Sequence, residues 1–324
     1  MGEFIGRQYE VGIGKEITQG TAVEPTAWIP RTDFTYDERR DYVMNEEGNG
    51  SLANASNAEI VKEYSDGEIG GRVREKSTGL IFLSTLGKVT SSLVSGETAV
   101  YKHEFEVDEQ NTHPSLTIEF KNPIEQLAFA GSMITSLKLN AEIGGYFDYN
   151  GSFIGEKGAT ATHTPSLVTD DVFTSRMIKI YVADSLTNIE NETPLCVESI
   201  ETSIDKDVAE LMCLADTTPS QRINKTMTVE TNLKMRYKDL TEKALFTGGD
   251  EKAVRIVIEN TSKTIGTGSN PSLRINMPKC VFTEWDRDAS LDDVVTQDVK
   301  LTALYDTTTA KQISMTLVNE QASY

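Results

Sequence analysis

Three cysteines in 324 residues are too few, and the wrong number, for a disulfide framework. Cys196, Cys213 and Cys280 stand far apart and form no CxxC pair, so the expectation is buried free thiols in a reducing compartment. Histidine is equally scarce. His103, His113 and His163 show neither HxxxH nor HxH spacing, which leaves a zinc site without support. Aromatic residues make up 7% of the chain, and Trp28 and Trp285 lie far apart, unlike the clustered rings of a carbohydrate-binding surface. Basic residues are outnumbered 31 to 50, giving a net charge of −19. The deficit is spread along the chain and not gathered in a tail. Such a surface argues against nucleic-acid binding by phosphate neutralisation, and suits a protein that repels a polyanion. The opening Met1–Arg7 lacks a basic start followed by an apolar run, so no secretory leader is expected. The longest apolar stretch, Leu80–Leu86, is far short of the roughly 20 residues that span a bilayer. Synthesis and folding in a cytoplasm, without membrane contact, are the expectation.

What is plentiful is Thr, Ser, Val, Ile and Gly, a mixture that favours strands and turns. Alternation is clean in Lys102–Asp108, where Lys102, Glu104, Glu106 and Asp108 share one face and His103, Phe105 and Val107 the other. Strands are also expected around Leu116–Phe120, Ser136–Ile143, Phe147–Gly155, Met177–Val182, Val197–Asp205, Thr226–Tyr237, Ala253–Glu259, Leu273–Met277 and Val299–Tyr305. Residues 37–60 are polar and predict a long loop or an open β-hairpin. Two short helices are expected. One covers Ser77–Gly87, with Leu80, Leu83 and Leu86 on one face and Gly87 as C-cap. The other covers Asp239–Gly248, with Asp239 as N-cap and Glu242 completing a capping box.

Catalytic spellings do not survive inspection. Gly12 and Gly14 lack the third glycine of a dinucleotide loop, and Gly79, Gly87 and Lys88 have the wrong spacing for a P-loop. Ser203–Lys206 fits S-x-x-K only within an alternating strand. Asp286, Asp288, Asp292 and Asp293 cluster without the glycine and terminal glutamate of an EF-hand, so a solvated acidic segment is expected. No catalytic residue, cofactor or metal is assigned, and the chain is read as non-enzymatic.

Both helices follow a strand and stop at glycine, and they anchor a repeat. Gly71–Lys76 lies opposite Leu233–Lys238, His103–Asp108 opposite Val254–Glu259, Pro114–Phe120 opposite Pro271–Met277, and Arg31–Asp37 opposite Ile200–Lys206. The order is constant and the offsets scatter around roughly 160 residues, as loop insertions would make them. The predicted fold is therefore mainly β, with two tandem sandwich or barrel domains and one short flanking helix in each. The expected boundaries are 1–30 for an N-terminal arm, 31–157 for the first domain, 158–170 for a flexible linker and 171–324 for the second domain. Two similar domains in one chain could occupy neighbouring, quasi-equivalent places in a ring.

Several segments together resemble the major tail tube proteins of long-tailed bacteriophages, in their larger form. They are Val11–Thr21 with Trp28–Pro30, Gly70–Val73 leading into the leucine helix, and Phe129–Leu139 followed by Gly144 and Gly145. The resemblance covers most of the first half and only the general layout of the second. It implies tail-tube-like β domains whose rings stack into a hollow tube, through which DNA passes without specific binding. The partners it implies are the chain itself and other phage tail proteins, and the implied location is the virion tail. With six domains around the axis, two domains per chain would make the ring a homotrimer of pseudo-sixfold symmetry, the alternative being a homohexamer. Glu104, Glu106 and Asp108, with Glu259 in the second half, are the candidate lumen-facing acids. Residues 37–60 and the N-terminal arm are the candidate ring-to-ring contacts. Competing readings are a tail terminator, a capsid decoration protein, or a host-surface or carbohydrate-binding β module.

Overall fold

The computed structural model describes residues 3–324. The first half contributes strands β1 (Glu10–Lys15), β2 (Ala27–Ile29), β3 (Asp33–Phe34), β4 (Asp37–Asn45) and β5 (Asn57–Arg72). After α1 (Gly79–Leu86) come β6 (Gly87–Leu93), β7 (Tyr101–Val107), β8 (Leu116–Lys121), β9 (Gln126–Glu142), β10 (Asp148–Gly155) and β11 (Ala159–Thr160). The second half contributes β12 (Ile178–Ala183), β13 (Val197–Leu211), β14 (Gln221–Arg236), α2 (Thr241–Gly248), β15 (Glu251–Glu259), β16 (Ser272–Asp288), β17 (Thr296–Ala303) and β18 (Ser314–Asn319). The mainly β expectation holds, and every named strand pairing is antiparallel.

One long strand organises each half. β9 has 17 residues and belongs to two sheets. Its first part pairs with β8, which pairs with β1 and through it with β2. Its second part pairs with β10, then β5, then β4. Between the two parts Gly131 takes φ +60°, a conformation that side chains resist, so the strand can turn from one sheet into the other. β16 also has 17 residues and plays the same part. It pairs first with β15 and through it with β12, then with β17 and through it with β14 and β13. The first-half order β4–β5–β10–β9 therefore reappears as β13–β14–β17–β16.

This pairing plan shifts two of the sequence matches by one strand, and the Arg31–Asp37 match by one residue, Asp33 standing where Glu201 stands. β15 stands where β8 stands, and β16 where β9 stands. Strands β6 and β7 have no counterpart and instead pair with each other and with β18, on the flank of the second half. The shared Pro-Ser-Leu at residues 114 and 271 is thus a likeness of composition and not of position.

Both halves feed one hydrophobic cluster, running from Val11 and Ile13 through Leu137 and Ile204 to Leu273 and Leu317. α1 lies within it with all eight residues buried, so the expected apolar stripe is in fact the whole helix. Gly87 caps it at φ +96°, as expected. α2, more polar, buries none of its residues. Its start differs from expectation: Leu240 is the N-cap, Asp239 accepts from the Thr241 N–H at 2.9 Å, and Glu242 accepts from Gln297 instead of closing a box.

Segment 158–170 is anchored. β11 pairs with β9, Leu167 bridges to Trp28, and the buried Asp170 carboxylate accepts from the Lys76 and Ser77 N–H groups at 3.0 and 2.9 Å. Backbone and charge partners hold a stretch whose composition alone suggested flexibility. Cysteine burial also departs from expectation. Cys280 is buried, but Cys196 and Cys213 are exposed, because they lie outside the strand interiors that form the core.

Candidate assembly surface

The most informative feature is the join between the halves. Ser199–Asp205 of β13 pair with Ser136–Glu142 of β9, so the sheet of one half continues into the other. The alternation of β13 explains this. Ile200, Thr202, Ile204 and Lys206 face inward and are buried, leaving Ser199, Glu201, Ser203 and Asp205 on the other face. The result is an eight-strand sheet in the order β4–β5–β10–β9–β13–β14–β17–β16.

Buried polar contacts lock the join. Lys206 Nζ donates to the Ser84 carbonyl at 2.9 Å, beneath α1, and lies 3.1 Å from His113 Nδ1. Burial pulls the ammonium down to about 7, and burial with the Lys206 charge pulls His113 down to about 4. Arg222, 1% exposed, pairs with Glu210 at 3.1 Å and donates to the Gly155 carbonyl at 2.8 Å. Glu63 N–H donates to the Thr217 carbonyl at 2.8 Å, and Lys62 pairs with Glu210. The β13–β14 tip is thereby seated on the first half.

Among the described residues, the same sheet has two free edges. β13 has β14 on one side and β9 on the other, whereas its counterpart, the β3–β4 segment, has β5 on one side only. β9 carries β8 and then β13 along one side, whereas β16 carries β15 along that side as far as Val281 and has no ladder partner there beyond it. Unpaired edges of this length invite pairing with another chain.

One face of the sheet lies on the core. The other is polar: Asp66, Glu68, Asp148, Glu142, Glu201, Asp205, Glu230, Asp298, Glu284, Asp286 and Asp288 share it with Arg39, Lys62, Arg72, Lys138, Lys234, Arg236 and Lys300. Lys300 bridges Glu230 and Glu284 at 3.0 and 3.4 Å. Asp286 lies opposite Asp298, like charge facing like.

A family described as phage tail tube protein matches residues 6–315. The chain belongs to that family. It is therefore a structural component of a bacteriophage tail, in keeping with its β-rich architecture. No curated protein matches the chain.

The candidate acids of this tail tube protein lie elsewhere. Glu104, Glu106 and Glu259 share one face of the other sheet, through the pairings β7–β18, β18–β16 and β16–β15. Cations interleave with them: Lys102 reaches Glu104 at 3.1 Å, Lys311 reaches Glu106 at 2.5 Å and Lys88 lies 3.9 Å from Glu106. Asp108 lies past the end of β7, where its carbonyl accepts from His113 Nε2 at 2.8 Å. Asp286 and Asp288 belong to β16, so the acidic segment of the second half is strand and not one loop. Ser203 and Lys206 point to opposite faces of β13, which removes the S-x-x-K pairing.

The sequence did not single out the polar face of the joined sheet. The signal was present in the alternation Glu198–Lys206 and Glu230–Arg236, but nothing local says that distant acidic faces become one surface. The 37–60 segment is the open-hairpin alternative, with Tyr42, Val43, Met44 and Ile60 exposed along its arm. The opening residues are in the sheet from Glu10 onward, paired with β8.

Proposed function

We propose that this tail tube protein self-assembles into rings whose continuous inner wall is the eight-strand sheet, and that stacked rings form the conduit for DNA delivery. The observation that carries the reading is the β9–β13 join combined with the two free edges at β3–β4 and β16. One such junction is made inside the chain, and the unsatisfied halves of a second stand at its ends. Repeating that junction between chains closes the sheet without leaving an edge. The core, both helices and the remaining strands all lie on one face, so the polar acidic face turns to the lumen. We place the wall there in preference to the face of Glu104, Glu106 and Glu259. An acidic wall repels phosphate and does not retain the polyanion that passes along it.

The repeated pairing order supports a duplicated tail-tube-like domain and hence a homotrimer with pseudo-sixfold symmetry. At about 4.8 Å between strands, three eight-strand sheets give a barrel about 37 Å across before tilt widens it, and six chains give about twice that. The narrower bore suits one nucleic-acid duplex. The exposed apolar arm of the β4–β5 hairpin is the candidate contact to the adjacent ring. Synthesis in the host cytoplasm and contacts with other tail proteins belong to the same reading.

Cryo-electron microscopy of the concentrated protein tests it. Three chains per ring with the Glu201–Asp205 face inward is the expected outcome. Six chains per ring, or that face outward, overturns it.

A further inference from the structure

The internal join also serves as a template for the seam between chains, an inference that rests on the ring reading above. The two pairing plans can be superposed residue by residue. Gly70 opposite Asn150 corresponds to Asn232 opposite Lys300, and the next pair places Lys138 where Glu284 stands. Asp33, opposite Gly70, then corresponds to Glu201, opposite Asn232. In the join Ser203 faces Lys138, Glu201 faces Asn140 and Ser199 faces Glu142.

We propose that Arg31–Asp37 of one chain pairs antiparallel with Val281–Asp288 of the next, Thr35 facing Glu284, Asp33 facing Asp286 and Arg31 facing Asp288, and that like charge keeps this seam open until salt screens it. On the core side the register sets Phe34 against Trp285, two aromatic side chains that are only partly buried within a single chain. That is the apolar half of an unmade contact. The lumen side differs from the join. There, Lys138 sits diagonally between Glu201 and Asp205, so opposite charges hold the strands together. In the seam Glu284 replaces that lysine, and Asp33 meets Asp286, which already faces Asp298. Charges along an edge strand are a known device against unwanted pairing. Screening shortens from about 10 Å at 0.1 M salt to about 3 Å at 1 M, so this barrier is adjustable where the internal join is not.

The test uses the full chain. With the exposed Cys196 and Cys213 changed to serine, Thr35→Cys and Glu284→Cys are introduced together and oxidised, and non-reducing gels report cross-linked chains. Facing residues in an antiparallel ladder lie within disulfide reach. In parallel, analytical ultracentrifugation measures the threshold protein concentration for ring formation in Asp286→Asn, Asp286→Lys and the unmodified chain, from low salt to 1 M NaCl. Circular dichroism confirms that each variant is folded. The expected results are cross-links between chains, a threshold lowered about twofold to fivefold by Asp286→Asn at low salt, a larger drop for Asp286→Lys, and convergence of all three at 1 M. Rings without the 35–284 cross-link overturn the register and leave the ring reading intact. Cross-links with thresholds indifferent to salt and to residue 286 overturn the charge barrier alone. Folded protein that forms neither rings nor cross-links at any salt concentration overturns the ring reading and the seam with it.

Discussion

Replacing Lys206 with methionine should make the protein more stable at neutral pH and remove a specific pH dependence. Lys206 is 6% exposed and has no carboxylate partner among the described residues; its ammonium hydrogen-bonds to the Ser84 carbonyl and His113. Burial lowers its pKa to about 7, from an ordinary value of 10.5. Below pH 7 the group is charged in both the folded and the unfolded chain, and the folded chain bears the full cost of burying that charge. Between pH 7 and 10.5 the unfolded chain binds a proton that the folded chain has released, so stability rises with pH through this window. A one-proton difference gives a slope approaching 1.36 kcal/mol per pH unit, or about 2–3 kcal/mol between pH 7 and 9. Methionine has a similar length and no charge. It gives up hydrogen bonds to Ser84 and His113, which offsets part of the gain. The assay is urea denaturation of the unassembled chain at pH 7, 8 and 9, wild type beside Lys206→Met, because the difference between the two curves cancels groups remote from Lys206, and His113, pulled down to about 4, is neutral in the folded chain throughout this range. The two proteins should converge as pH rises, with the variant ahead at pH 7 by about 1–3 kcal/mol. A constant difference across this range would refute the claim that the ammonium is buried unpaired.

Two further predictions test the fold around the join. Gly87→Ala should destabilise the protein by at least about 1–2 kcal/mol, read as a fall in thermal midpoint, because the αL cap of α1 is closed to a side chain on two counts. Its φ is +96°, and a Cβ would come within 2.8 Å of both Asp108 and His113. Thiol titration should find two reactive cysteines in the native protein, Cys196 and Cys213, and a third only after unfolding. Cys280 is buried and its thiol is pushed up to about 12 by desolvation.

Much of the fold was legible because strand alternation is local. Lys102–Val107 and Leu116–Lys121 form strands close to the positions that their periodicity indicates, and Gly87 caps the first helix as its sequence suggests. Long-range pairing was less legible. His103–Asp108 and Val254–Glu259 look alike because both are half-buried strands, yet β7 is an addition to the flank of the second half, and the true counterpart of β15 is β8. Alternation fixes which side chains share a face but not which strands become neighbours. The candidate acids Glu104, Glu106 and Glu259 lie on a different sheet from the joined one, for the same reason. Glu104 and Glu106 alternate as cleanly as Glu201 and Asp205, and only the pairing plan shows that the latter two lie on the sheet that joins the halves.

On the proposed ring reading, the asymmetry between join and seam bears on why two similar halves occupy one chain. If the two were equal in strength, joining the domains covalently would only halve the number of pieces. They are unequal. Across the join, Lys138 lies between acids, Lys206 reaches under α1, and Arg222 ties the β13–β14 hairpin to Gly155. At the open edges, Glu284 and Asp286 would meet a strand that carries Asp33 and Asp37, and Arg31 against Asp288 is the one opposite pair in that register. The β3–β4 counterpart of Lys206 is Glu38, which holds the Gly158 N–H of its own half and reaches no second domain within the chain. On the proposed ring reading, a chain built this way would fold around one permanent junction while keeping the other conditional. Permanence favours a stable subunit, and conditionality keeps the open edges from pairing before a ring is wanted.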